Sequence, residues 1–102
     1  MAKFDVYRSH SKDPNTAFLL DVQSDFISDL RTRVVIPLVP LAVFGKPIAR
    51  LNPVVAVEGQ LYAIVTPNLA GVHVSALGEK VTSLEDHADE IASAIDFLLL
   101  GF

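Results

Sequence analysis

The chain has no cysteine and no tryptophan, and only one methionine and five glycines among its 102 residues. Without cysteine there is no disulfide framework, no thiolate metal site and no thiol nucleophile. The three histidines, His10, His73 and His87, lie too far apart in sequence to form a ligand pair at metal spacing, so neither a metal nor a cofactor is expected. No stretch reaches the ~18 consecutive apolar residues that a membrane-spanning helix requires. The first residues meet Asp5 before any apolar region develops, which argues against a signal peptide and for a cytoplasmic protein. The glycines form no phosphate-binding loop, and Ser24 lacks the flanking glycines of a nucleophile elbow. Internal repeats and low-complexity segments are absent.

Positive charge is scarce as well. Eight Lys and Arg face twelve Asp and Glu, for a formal charge of −4, and seven of the eight basic residues lie in the first half. There Lys3, Arg8, Lys12, Arg31, Arg33, Lys46 and Arg50 are interleaved with acids. A nucleic-acid surface needs a clustered basic face, so direct contact with DNA or RNA is not expected. Apolar residues, in contrast, are plentiful at 51% of the chain, with a mean hydropathy of +0.43. The length fits one domain over residues 1–102. A body this small has a limited interior, so part of the apolar surplus is expected in a subunit interface, making the protein a homodimer.

Short strands fill the first three quarters. Lys3–Arg8 alternates apolar and polar residues, a polar loop follows over Ser9–Asn15, and Ala17–Val22 returns as a second strand. Arg33–Leu38 is rich in β-branched residues and is expected to halt at Pro37 and Pro40; prolines at 37, 40, 47 and 53 exclude a long helix in that region. Val54–Val57 and Gln60–Thr66 flank Glu58-Gly59, the pattern of a tight hairpin. A short strand is expected over Val72–Leu77.

The hydrophobic period then changes from two to 3.6. Thr82-Ser83-Leu84-Glu85 fits a capping box, and Glu85, Asp86, Asp89 and Glu90 suit the positive end of a helix dipole. Leu84, Ala88, Ile91, Ile95 and Leu98 make one apolar stripe. Phe97, Leu99 and Leu100 widen it until the last turn is apolar nearly all round, and Gly101 is free to leave the helix with positive φ. An apolar, glycine-hinged end on an acidic domain suggests a contact surface. Phe26 and Ile27, just past a polar turn, form a second apolar exposure. The fold class is α+β, many short antiparallel strands with one C-terminal helix.

Candidate reagents are few. Asp21 and Asp25 resemble a carboxylate pair, but their position at a strand end suits a turn acceptor and a cap. Arg31 and Arg33 around Thr32 are the one grouping that suits stabilisation of a cleaving phosphodiester, the requirement of a MazF-like endoribonuclease.

Several of these segments together resemble the CcdB family of toxins from toxin–antitoxin systems. The likeness runs from Phe4-Asp5-Val6-Tyr7 through Asp21-Val22-Gln23-Ser24-Asp25 and Arg33-Val34-Val35-Ile36-Pro37-Leu38. It continues through Asn52-Pro53-Val54-Val55, Val72-His73-Val74-Ser75 and Leu77-Gly78-Glu79 to the helix that ends Gly101-Phe102. The resemblance implies an SH3-like β-barrel with a C-terminal helix and a two-fold dimer without enzymatic activity. It also implies a toxin that binds the DNA gyrase A subunit, traps the cleaved-DNA complex, and is neutralised by a cognate CcdA-like antitoxin. The gyrase-contacting positions carry over to Phe26, Ile27, Asp96, Leu99, Leu100, Gly101 and Phe102. Antitoxin contacts carry over to the loop residues Arg8, Ser9, His10, Ser11, Lys12 and Asp13. The sequence departs from the family pattern at Leu100, where potent members carry tryptophan, at Asp96, where they carry asparagine, and at His73, where proline is common. An alternative is a weakened, non-toxic homologue that binds only antitoxin.

Overall fold

A computed structural model describes residues 1–102 apart from Ser11, Lys12 and Ser28. Its strands are β1 (Asp5–Ser9), β2 (Phe18–Asp21), β3 (Thr32–Pro40), β4 (Val54–Val57), β5 (Gln60–Ile64), β6 (Ala70–His73) and β7 (Leu77–Ser83); its helices are the single turn α1 (Leu41–Phe44) and α2 (Ala88–Leu100). Short 3₁₀ turns sit at Asp25–Ile27, Thr66–Asn68, Val74–Ala76 and Glu85–His87. All pairings are antiparallel, in the order β4-β5-β3-β2-β1-β7, with β6 also on β3. The sheet curls into a half-barrel, and α2 closes its concave side.

Alternation along the strands sorts the residues between two faces. Val6, Phe18, Leu20, Ile36, Leu38, Val55, Val57, Tyr62 and Ile64 point inward and meet Leu84 and Ile91 from the helical end of the chain. The other face carries a smaller cluster of Tyr7, Leu19, Val35 and Leu77, with Val72 against it. The Val74–Ala76 turn straps across this second face. It is pinned at one end by Val74 N–H to the Arg31 carbonyl (2.8 Å) and at the other by His10 N–H to the Ala76 carbonyl (3.0 Å).

The Glu58-Gly59 hairpin forms as the sequence predicts. Val57 faces Gln60 across a two-residue loop, and both loop residues have positive φ, 52° and 79°, the geometry whose twist matches the flanking strands.

Three expectations need correction. First, β3 does not halt at Pro37 but runs through it. The Pro37 carbonyl accepts from Val65 N–H (3.0 Å), and a strand residue points its N–H the same way as its carbonyl. The missing donor therefore falls on the side where β3 changes partner, from β6 up to Val35 to β5 from Leu38. Second, the strand expected over Val72–Leu77 is two strands joined by a 3₁₀ turn. Third, Thr82-Ser83-Leu84-Glu85 is no helix cap. Thr82 and Ser83 end β7, Ser83 Oγ accepts from Glu85 N–H (3.2 Å) to start a 3₁₀ turn, and α2 begins only at Ala88.

One ion network closes the seam of the half-barrel. Arg8 on β1 donates to Glu79 on β7 (2.8 Å) and to Glu58 in the β4–β5 turn (2.9 Å), and its guanidinium lies 5.6 Å from the centre of the Phe18 ring. β4 and β7 are the two ends of the sheet, and a single cation holds both.

Candidate functional site

The last turn of α2 gathers several exposed apolar side chains. Leu99, Leu100 and Phe102 are 69%, 61% and 77% exposed. Helical spacing of three and four puts Asp96 on the same open face as Leu99 and Leu100, while Ile91 and Ala94 on the opposite face are buried. Gly101 ends the helix in the left-handed region at φ 81°, and its N–H bonds the Phe97 carbonyl (3.0 Å). That geometry turns Phe102 out of the helix axis. Arg50 braces the tip from outside, its guanidinium 4.6 Å from the Phe97 ring centre, a cation over an aromatic face at the negative end of the helix dipole. Sequence reasoning grouped Arg50 with the scattered charges and missed this role. Its local signal is weak, since the contact depends on a loop between Pro47 and Pro53.

Phe26 is fully exposed and Ile27 about half exposed, both in the 3₁₀ turn. Ser24 Oγ caps that turn by accepting from Phe26 N–H (3.2 Å). Asp25 ties the turn to the N-terminal segment by accepting from Lys3 N–H (2.8 Å), and Phe4 in turn accepts from Leu84 N–H (2.8 Å). The turn is thus tied through the N-terminal segment to Leu84, ahead of α2. All seven candidate contact residues are exposed: Phe26 and Ile27 on the turn, and Asp96, Leu99, Leu100, Gly101 and Phe102 at the end of α2.

The antitoxin candidates divide too. Arg8 is engaged by Glu58 and Glu79, which holds its guanidinium pKa above the ordinary value, chiefly through the hydrogen bond to Glu79. His10 Nδ1 donates to the Ser75 carbonyl (3.0 Å) and, with Ser9, borders a groove of about 350 Å³ floored by Leu19 and Val35. Asp13 accepts from Asn15 N–H (2.9 Å). Ser11 and Lys12 lie outside the described residues. The other histidines have local roles: His73 Nδ1 caps the Val74–Ala76 turn by accepting from Ser75 N–H (3.1 Å), and His87 pairs with Glu90 (3.2 Å).

The Arg31-Thr32-Arg33 grouping does not form a reagent site. Arg31 and Thr32 are exposed, but Arg33 is fully buried and donates from Nε and Nη2 to Asp21 Oδ2, itself fully buried. Asp21 Oδ1 accepts from Gln23 N–H (3.0 Å), which is the turn-acceptor role read from the sequence. An arginine held this way is unavailable to a substrate phosphate.

Beside this pair stands Tyr7, whose hydroxyl donates to Asp5 Oδ2 (3.3 Å). Burial first, then the carboxylates of Asp5 and Asp21, push its pKa up to about 12. A raised folded-state value means that the neutral phenol is favoured in the fold. The associated stability is complete below pH ~10 and is lost as pH rises from about 10 to about 12. Two pH units correspond to about 2–3 kcal/mol. Denaturant unfolding between pH 9 and 12 is expected to show this loss in the parent chain and not in Tyr7→Phe.

With this geometry in hand, comparison with known proteins is decisive for lineage. The profile of the CcdB protein family matches residues 3–101. The chain belongs to the CcdB family of toxin–antitoxin toxins. Its half-barrel is also similar to solved structures of low identity. One is an endoribonuclease in complex with its cognate antitoxin from a mycobacterial species, at 13% identity and TM-score 0.78, covering 100% of this chain and 96% of that one. Another is an endoribonuclease from a mycobacterial species, at 14% identity and TM-score 0.76, covering 100% and 92%. At these identities the likeness is one of fold, shared by this member of the CcdB family and by the endoribonucleases.

Proposed function

We propose that this CcdB-family member is a non-enzymatic toxin of the cytoplasm. In this reading it acts as a homodimer, binds the DNA gyrase A subunit through the α2 tip, traps the cleaved-DNA complex, and is neutralised by a cognate antitoxin. The observation that carries the reading is the open Leu99–Leu100–Phe102 surface, largely exposed at the end of α2 beside the Arg50–Phe97 contact. Gyrase A is a two-fold assembly that opens and closes to pass DNA. A symmetric toxin presents two tips to it at once. If the tips fit the open or cleaved arrangement better than the closed one, binding shifts the population and religation stalls. A differential affinity of about 5.5 kcal/mol moves a 1:99 equilibrium to 99:1.

Phe26 and Ile27 supply a further contact on the target. The antitoxin reading rests on the groove edged by Ser9 and His10, into which a flexible segment folds on binding. Burial of Arg33 argues against the endoribonuclease alternative built on that residue.

The test expresses the chain alone in a gyrase-sensitive cell, with and without a gyrase A allele resistant to such toxins. Growth arrest relieved by the resistant allele is expected. Arrest without relief, accompanied by RNA cleavage from the pure protein, supports the enzyme instead, and no arrest supports a homologue that binds antitoxin alone.

A further inference from the structure

Gln23 is buried at 5% exposure and uses its side-chain amide for bonds that a peptide group would otherwise make. The β2–β3 ladder closes with Asp21 opposite Val35, and Val22 N–H then donates to the Val34 carbonyl (3.0 Å). In a regular antiparallel pair Val34 N–H would return that bond to Val22. It donates instead to Gln23 Oε1 (3.0 Å). Gln23 Nε2 in turn donates to the Ile27 carbonyl (2.9 Å), which also takes Leu30 N–H (3.4 Å). One acceptor and one donor on a single planar group thus carry the ladder past the end of β2 and attach the Phe26–Ile27 turn to the flank of β3. Glutamine has both functions at this reach. Glutamate lacks the donor, and methionine, of similar length, lacks the donor and has only a weak acceptor.

The turn needs such an attachment. Ser24, Asp25, Phe26 and Ile27 are all exposed, and the Phe26 side chain is fully so, so packing does not fix their position. Three residues of 3₁₀ helix have little stability of their own. The bonds that Phe26 N–H makes to Ser24 Oγ and Lys3 N–H makes to Asp25 are exposed, and water competes for their partners. The bond from Gln23 is partly shielded and comes from a buried side chain, whose own backbone N–H is held by buried Asp21 (3.0 Å). It is the firm point of the turn. A contact surface ordered beforehand avoids the entropy of ordering it on binding.

We propose that Gln23 is the positioning residue of the Phe26–Ile27 contact: its amide holds the turn so that the two apolar side chains stand clear of the domain before a partner arrives. The inference rests on the reading of Phe26 and Ile27 as a contact on the gyrase A subunit, and it adds the residue that sets their place. Gln23 acts through the Ile27 carbonyl rather than by meeting the target.

Gln23→Met keeps the length of the side chain and breaks the bond to Ile27; Gln23→Asn keeps the amide and shortens its reach. Both are compared with the parent, as full chains, by chymotrypsin cleavage under native conditions. Cleavage after exposed Phe26 reports opening of the turn, and cleavage after buried Tyr62 in β5 reports opening of the whole domain. Losing a hydrogen bond of ordinary strength raises the open population about fivefold. Cleavage after Phe26 is expected to rise by that factor relative to cleavage after Tyr62. Affinity for the isolated gyrase A subunit is expected to fall about fivefold in both variants. No further fall is expected when Phe26→Ala and Ile27→Ala are already present, because there is then no contact to position. Equal acceleration at both bonds, or the same loss of affinity in both backgrounds, means a general structural role and overturns the proposal while leaving the docking reading in place. A parent chain that does not bind the gyrase A subunit, or that binds as tightly without the two apolar side chains, overturns the docking reading and the proposal with it.

Discussion

Removal of Leu100, Gly101 and Phe102 is expected to abolish growth inhibition while circular dichroism and the thermal midpoint stay close to those of the full chain. The two halves of this expectation have separate physical grounds. Leu100 and Phe102 are largely exposed, so their loss opens no cavity, and the helix keeps the buried Ile91 and Ala94 that dock it. Binding energy in protein interfaces concentrates in a few apolar or aromatic anchors. Two anchors at about 2 kcal/mol each lower affinity about a thousandfold. Should the truncated helix unravel, the pair Leu100→Asp and Phe102→Asp, in the full-length chain, removes the same contacts without shortening it. Leu100→Trp probes the opposite direction. An indole stacked on a target arginine contributes about 0.5–2 kcal/mol, roughly a tenfold tightening. Undiminished toxicity of the truncated and doubly substituted chains would remove the tip from the mechanism.

Arg33→Ala is expected to be among the most damaging single substitutions, and it works through stability. Breaking a buried ion pair by removing one partner costs about 3–5 kcal/mol, because the other charge is left buried and unanswered. Small domains have only about 5–15 kcal/mol in total, and each kcal/mol shifts the midpoint of a domain of this size by about 4–8 °C. The variant is therefore expected to melt tens of degrees lower. Removing both charges behaves differently. Arg33→Met with Asp21→Asn keeps an acceptor for Gln23 N–H, and it relieves Arg33 Nη1, which is buried without a hydrogen-bond partner among the described residues. That double variant is expected to be near neutral or stabilising. If Arg33→Ala is as stable as the parent, the pair makes no net contribution. If it cleaves nothing and merely unfolds, no enzymatic role for Arg33 is implied by its loss of function.

Legibility of the fold followed the range of the interactions. The Glu58-Gly59 hairpin depends on four neighbouring residues and was readable directly. The stripe on α2 was readable because its period spans the whole element, and Gly101 because only a left-handed residue ends the helix there. β7 was not readable. Its residues Leu77-Gly78-Glu79-Lys80-Val81-Thr82-Ser83 alternate poorly, since two register shifts interrupt its pairing with β1, and Thr82 with Glu85 imitates a cap that the chain uses as a strand end. Arg33 was misplaced because a lone charge reads as surface. The signal that finds it is phase: Arg33 lies two residues from buried Val35, and Asp21 two residues from buried Leu19, so alternation puts all four on one face once β2 and β3 are paired. At the tip, exposure was legible from composition.

The pairing of β1 with β7 has a consequence for how the protein is made. Arg8 and Glu79 are separated by 71 positions, so one flank of the first strand has no neighbour until β7 has left the ribosome. Non-local sheets of this kind acquire their structure slowly, and an open strand is a template for aggregation in the interval. A chain that stops short of β7 is thus expected to leave that flank of β1 open to pairing with other molecules.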